Sequence, residues 1–274
     1  MTDAEMLFNQ IFLRSLRLWA TITNFRDSVL GVIDAVSKRQ QAQIENVYDM
    51  LAYDPDCARL LSNQRDFAEK VDKTKFVTTA AGEIMARTTS SLDAATVVFV
   101  HSILDAAAID YCRVTAMAAP SDWEPDLRGN AVRLTEIRGS TYDELLRRKL
   151  GDRLQSLERE SLLTKIDRLL ARCQPPAGWS PMNNYKFDLE TMKRLDEQRH
   201  DIVHGLAIGR PLKDFPLSPE SLWYLQRTLM YFAGLVNRKY GLMLDPAYTE
   251  TFMASYTPHT NPTTPIPTAD ADHA

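Results

Sequence analysis

The segment EQRHDIVHGLAIGRP, residues 197–211, holds a compact group of side chains suited to acid–base chemistry. Arg199, His200, Asp201 and His204 lie within six positions, in a chain with only five histidines. An arginine can hold a phosphate through its planar guanidinium, and a histidine can exchange a proton near neutral pH. This set suits metal-free cleavage of RNA, in which a base activates a ribose 2′-OH and a cation stabilises the phosphorane.

The spacing of Arg199 and His204 suggests a shared site. Residues five apart on a helix point about 140° away from each other, so one helix does not easily direct both at one atom. Two copies facing each other across a two-fold axis would form a common cleft. Gly205 is a typical residue to follow a helix end. His204 is therefore predicted in the last turn, where the helix dipole favours the protonated imidazole and readies it to act as an acid.

A metal site is a second interpretation of the same segment. His200 and His204 are four apart, on one helix face, and HDIVH imitates the zinc motif HExxH with Asp201 in place of glutamate. Aspartate is one methylene shorter, so its reach to a zinc-bound water differs. A catalytic zinc also needs a third protein ligand, for which His101, His259 or a carboxylate is available. We predict no metal and no cofactor.

A structural role is the third interpretation. Arg199 would pair with Asp196 or an acid on a neighbouring helix, and His204 would cap the helix end. His101 and Asp105, four apart on an apolar helix, are predicted to form a buried hydrogen-bonded pair. In the functional alternative, Asp105 supports the site by orienting Arg199, and Asp201 is a further supporting residue.

The composition is that of a soluble globular protein: 274 residues, 45% hydrophobic and 25% charged, with net charge −4. This charge gives no general signal for binding long nucleic acid, although a local basic patch remains compatible with it.

Three scattered cysteines indicate buried thiols in a reducing compartment, not a disulfide framework or zinc ribbon. The N-terminus carries charges instead of a signal-peptide core, and no run of 18 apolar residues is present. We expect a cytoplasmic protein without a membrane span.

The pattern along the chain predicts an all-α protein, because glycines and β-branched runs are few. Residues 5–51 are predicted as one long helix or two stacked ones, with a heptad-like apolar stripe that faces a bundle. The stripe consists of Leu18, Ile22, Phe25, Val29, Val32 and Val36. A short helix over 59–72 precedes a central buried helix that starts at Ser90 or Ser91 and ends at Ala119.

Three further helices complete the predicted bundle. One covers 141–173, with Thr141 and Glu144 as a capping box and Gly151 as a joint. Asp188 caps the helix that carries the 197–211 segment, and Ser218 caps the last one, which ends near Tyr240. The division is then an N-terminal helical region, 1–85, a bundle, 86–245, and a disordered tail, 257–274.

Basic residues cluster on the 141–173 helix, where they form either a solvated face or an RNA-contacting rim. They are Arg147, Arg148, Lys149, Arg153, Lys165, Arg168 and Arg172.

RHDIVHG, residues 199–205, resembles the R-x4-6-H motif of the HEPN superfamily, in which the arginine precedes a polar residue and the histidine lies near the end of the helix. The resemblance covers 86–245 as architecture and about seven residues as motif. It implies an up-and-down helical bundle, with an additional N-terminal region, that forms a homodimer and cleaves RNA without metal, leaving a 2′,3′-cyclic phosphate. Arg199 would bind the phosphate, His204 would be the general acid/base and His200 would assist.

The resemblance also implies a setting for this activity. Such proteins act as toxins, in phage defence or in RNA processing, and an antitoxin or another protein partner would fit this setting. Some members lack activity and bind or sense a ligand instead, so a non-catalytic module that dimerises or binds nucleotide or RNA is the alternative.

Overall fold

The computed structural model describes residues 1–61, 63–127, 141–183, 185–207 and 220–254, and these residues form an all-α protein, as predicted. The predicted disordered tail, 257–274, lies outside the described residues. The α-helices within the described ranges are α1 Asp3–Tyr53, α2 Gln64–Lys70, α3 Lys73–Ala118, α4 Tyr142–Glu158, α5 Leu162–Cys173, α6 Leu189–Ala207, α7 Glu220–Tyr240 and α8 Pro246–Ala254. Short 3-10 helices cover Pro55–Leu60 and Pro120–Leu127.

The two longest helices, α1 and α3, run antiparallel along each other. At about 1.5 Å per residue, the 51 residues of α1 span about 76 Å, and the 46 residues of α3 span about 69 Å. Ion pairs that bridge the two helices are Arg14–Asp110, Arg26–Asp93 and Lys73–Asp49. Residue numbers rise along one helix as they fall along the other, so the first part of α1 meets the last part of α3.

The start of α3 differs from the prediction. Asp72 caps this helix by accepting a hydrogen bond from the backbone N–H of Lys75 at 2.6 Å, and Ser90 and Ser91 lie inside it. The predicted boundary between residues 85 and 86 therefore falls within α3, and the N-terminal region and the bundle share one helix instead of a linker. The polar run before Ser90 continues as helix because it packs against α1.

The apolar stripe on α1 faces the bundle only in part. Ile22 packs against the main core, whereas Leu18, Phe25, Val32 and Val36 are 40–57% exposed. The neighbouring face of α1 is covered by α3, and there Ile33 is buried and Arg26 reaches Asp93. Four of the six stripe residues therefore lie on the exposed side of α1.

The C-terminal half of α3 is the centre of the core, which confirms the predicted buried helix. Val100, Leu104, Tyr111 and Cys112 have no exposed surface, and this half contacts α1, α5, α6 and α7. Among the described helices, α3 is long and apolar enough to cross a membrane, but 56% of its most apolar window is buried within this chain. Its role as the core helix accounts for that composition.

Candidate active-site pocket

Helix α6 carries the RHDIVHG motif and is fixed at both its start and its inner face. The Asp188 carboxylate accepts hydrogen bonds from the backbone N–H groups of Glu190 and Thr191 at 3.1 and 3.2 Å, and from the Thr191 hydroxyl at 2.9 Å. These bonds lower the pKa of Asp188, with the Thr191 hydroxyl as the largest contributor. Met192 and Ile202 anchor the inner face in the core, so the rotation of the polar face is determined.

Helix α6 extends past its predicted end at His204. It continues to Ala207, so Gly205 is a buried helical residue and not the residue that follows the helix. His204 still lies in the last turn, as predicted.

A pocket of about 760 Å³ opens between α3, α5, α6 and the turn that joins α4 to α5. Arg199, His200 and Asp201 of the motif line it. Asp105 from α3 and Lys165 from α5 line it as well. The structure therefore brings three of the four motif side chains to one cavity.

Arg199 is half-buried and lines the pocket. It makes no hydrogen bond or ion pair with the residues that the structure describes. The predicted pairing with Asp196 is wrong, because the Asp196 carboxylate is hydrogen-bonded to His101 at 2.7 Å instead. The guanidinium is consequently free to bind a ligand in the pocket.

The predicted pair of His101 and Asp105 is also wrong. Each side chain reaches across a helix interface to another partner: His101 to Asp196 on α6, and Asp105 to Lys165 on α5. Both Asp105 oxygens accept hydrogen bonds from Lys165 Nζ, at 2.6 and 2.7 Å. Asp105 thus lies in the same pocket as Arg199 and is bonded to Lys165, and its role in orienting Arg199 stays a prediction.

Lys165 is a pocket residue whose position the sequence did not indicate. It is 2% exposed, so neither the solvated face nor the RNA rim describes it. A second member of that basic cluster, Arg172, is also internal and pairs with Asp126 at 2.6 Å. The available signal was Asp105, because an acid within an apolar helix requires a cationic or hydrogen-bonding partner.

His200 and His204 are neighbours on the solvent side of α6. Their ring centroids are 4.1 Å apart, and both residues are exposed. His200 lines the pocket, whereas His204 is not among the lining residues. The motif is thus split: Arg199 and His200 face the cavity, and His204 stands beside His200 at its edge.

The metal interpretation gains no third ligand from the described part of the chain, where no group of three or more His, Cys, Asp or Glu residues could hold a metal ion. His259 lies outside the described residues. The two neighbouring histidines alone do not complete a zinc site.

The lining of the pocket is richer in acids than in bases. The acids are Asp105, Glu158, Glu160, Asp196, Glu197 and Asp201, and the bases other than histidine are Arg159, Lys165 and Arg199. Lys165 is neutralised by Asp105, whereas Arg159 and Arg199 have no partner among the described residues. A phosphate entering the pocket would thus meet two guanidinium groups within an otherwise acidic rim.

No protein-family model, curated protein or solved structure matches this chain. Function is therefore inferred from the fold, the motif and the chemistry of the pocket.

Proposed function

We propose that this protein is a metal-independent RNA endonuclease of the HEPN type that acts as a homodimer, in a toxin or phage-defence setting with an antitoxin or other protein partner. The observation that carries the proposal is the half-buried Arg199, which has no partner among the described residues and lines a pocket together with His200, whose ring lies 4.1 Å from the tilted ring of His204.

The proposed reaction is a transesterification within the RNA strand. Arg199 binds the phosphate and stabilises the charge that develops on the phosphorane. The ribose 2′-oxygen loses its proton and attacks phosphorus, the bond to the 5′-oxygen breaks, and His204 donates a proton to that leaving oxygen. His200 assists by positioning, and Asp201 supports the motif from the same helix. The products are a 2′,3′-cyclic phosphate and a 5′-hydroxyl.

The homodimer is part of the same proposal. Arg199 lines the pocket while His204 lies outside it, which agrees with the angle between positions five apart on a helix. A second copy related by a two-fold axis would bring its own His204 towards this pocket. Each shared site would then combine an arginine from one chain with a histidine from the other.

The first test is RNA cleavage in EDTA by the wild type, Arg199→Ala and His204→Ala. We expect the wild type to leave 2′,3′-cyclic phosphate ends and each variant to lose about 10²-fold or more in rate. Glu190→Gln is the control, since Glu190 lies on the same helix, away from the pocket and paired only with Lys193. Cleavage that persists at the wild-type rate in Arg199→Ala would contradict the proposal.

Mixing the two inactive variants tests the composite site. A heterodimer of Arg199→Ala and His204→Ala would contain one site with both residues intact and one with neither. If the site is shared and the chains mix freely, about a quarter of the wild-type activity should return, by the same symmetry argument. A mixture that stays inactive although chain exchange is demonstrated would contradict a shared site.

A second candidate is a non-catalytic HEPN-like module that binds nucleotide or RNA. The acid-rich lining of the pocket favours it, because that lining repels a long phosphate backbone and leaves anion contact to two arginines. Under this alternative, a folded dimer would bind the ligand through Arg199 and cleave no RNA.

A further inference from the structure

His101 lies in the pocket, on a different helix from the motif, and a carboxylate holds it in place. Its Nε2 is 2.7 Å from Asp196 Oδ1, and its side chain is 11% exposed. A carboxylate that accepts a hydrogen bond from one ring nitrogen fixes the tautomer with the proton on that nitrogen. The other nitrogen, Nδ1, then carries a lone pair that can accept a proton.

Asp196 and Arg199 face the same cavity because they are one helical turn apart. The positions 196, 199 and 200 follow the i, i+3, i+4 pattern of a single helix face, and all three residues line the pocket. The free arginine and the oriented histidine of one chain therefore share one cavity. His204, by contrast, is at its edge.

The neighbouring ion pair keeps Asp196 available for His101. Lys165, a buried cation in the same pocket, gives two hydrogen bonds to Asp105. Nδ1 of His101 makes no hydrogen bond with the described residues. The group around His101 thus consists of one orienting carboxylate, one neutralised ion pair and one free guanidinium.

We propose that His101, oriented by Asp196, is the general base of the RNA cleavage proposed above. This inference rests on the proposed function and adds the proton acceptor that the motif alone does not supply. Nδ1 of His101 takes the proton of the 2′-OH as the O2′–P bond forms, while the P–O5′ bond breaks and the 5′-oxygen takes a proton from His204. Asp196 is a positioning residue that fixes the tautomer, in the manner of a carboxylate that orients a catalytic histidine.

Two substrates distinguish the loss of the general base from the loss of the general acid. The first is an RNA oligonucleotide that the wild type cleaves, and the second is uridine 3′-(4-nitrophenyl) phosphate, whose leaving group departs without protonation. His101→Asn and Asp196→Asn should lower kcat by about 10²-fold or more on both substrates, with KM changed by no more than about twofold. His204→Asn should lower kcat on the RNA and leave the nitrophenyl ester largely unaffected. Glu190→Gln should match the wild type on both.

Imidazole rescue keeps the test independent of folding. His101→Ala should regain nitrophenyl ester cleavage when free imidazole is added, whereas a purely structural role for His101 would give no rescue. Circular dichroism and Tm identify a variant that does not fold, and in that case Asp196→Asn carries the test.

The outcomes distinguish the two proposals. If Arg199→Ala abolishes cleavage while His101→Asn and Asp196→Asn keep the wild-type kcat, the base assignment is overturned and the nuclease proposal stands. If the folded wild type cleaves no RNA and does not cleave the nitrophenyl ester, both proposals are overturned.

Discussion

At the scale of single residues, the structure decides which polar groups pair and which stay free. His101 and Asp105 are adjacent on one helix face, yet each finds its partner on a different neighbouring helix. Arg199, for which the sequence offered Asp196 as a partner, is left without one among the described residues. An unpaired, half-buried arginine costs stability that a purely structural role would not require, which is the physical reason to regard Arg199 as a ligand-binding group.

The cysteines give a prediction at this scale. All three are free thiols; Cys112 and Cys173 are buried, and Cys57 is half-buried. Burial raises the pKa of both Cys112 and Cys173 to about 12, so at pH 8 almost none of either is the reactive thiolate. Titration of the native protein with a thiol reagent at pH 8 should therefore modify Cys57 alone, and three thiols should react in denaturant.

The same pKa shifts determine whether the stability of the folded state rises or falls with pH. Because the folded state keeps Cys112 and Cys173 protonated, it loses stability relative to the unfolded state as the pH rises from the ordinary thiol pKa of about 9 towards 12. Rapid reaction of two or more thiols in native protein at pH 8 would contradict the buried assignment.

At the scale of elements, local capping signals predicted helix starts well. Thr141 and Glu144 form the predicted capping box at the start of α4, and Asp188 accepts the capping hydrogen bonds of α6. These motifs succeed because they depend on residues within one turn. Gly151 was predicted as a joint, but α4 continues through it, since a single glycine lowers helix stability without breaking the helix.

Two glycines in helices offer a matched pair of substitutions. An added Cβ at Gly234 in α7 would lie 2.7 Å from Pro181 Cγ and 3.4 Å from Trp179 Cη2, whereas Gly151 has nothing within 4 Å. We expect Gly234→Ala to lower the free energy of unfolding by about 1–3 kcal/mol through overpacking. Gly151→Ala should raise it by about 0.5–1 kcal/mol, because alanine favours the helix.

Urea denaturation of both variants measures the two effects. If Gly234→Ala were as stable as Gly151→Ala, the segment that carries Pro181 would not be packed against α7 in solution.

At the scale of the whole molecule, the chain has a main core and a separate cluster where the end of α1 meets the start of α3. Tyr48, Phe67 and Phe76 form this distal cluster, with ring centroids 5.4–6.4 Å apart. The Tyr48 hydroxyl donates a hydrogen bond to the carbonyl oxygen of Val71 at 2.7 Å. None of the three rings belongs to the main core, which surrounds the C-terminal half of α3.

Separate clusters predict separate local stabilities. Tyr48→Ala removes a side chain that is 2% exposed, and we expect it to cost the distal cluster about 3 kcal/mol. Hydrogen exchange should then become faster for the amides of residues 44–80 and stay unchanged for residues 97–116. Val47→Ala, at a neighbouring position that is 50% exposed, is the control. Equal loss of protection in both regions would mean that the chain opens as one unit.

The sequence by itself determined the helical class of this protein, its buried central helix and several helix starts, and it drew attention to the motif at 199–205. These features depend on side-chain periodicity and on contacts within one turn, both of which are encoded locally. The length of α3 was not determined in this way, because its first half packs against α1, a contact between distant parts of the chain.

Only the tertiary structure decided which residues line the pocket. Lys165, His101 and Asp196 come from three helices, and their pairings depend on which helix faces meet at the interfaces. The sequence of an apolar stripe or a basic cluster does not show whether another helix will cover it. Phe25, for example, is exposed and Lys165 is buried. Burial is a property of the packed molecule. Whether a charged side chain is buried determines whether it requires a partner.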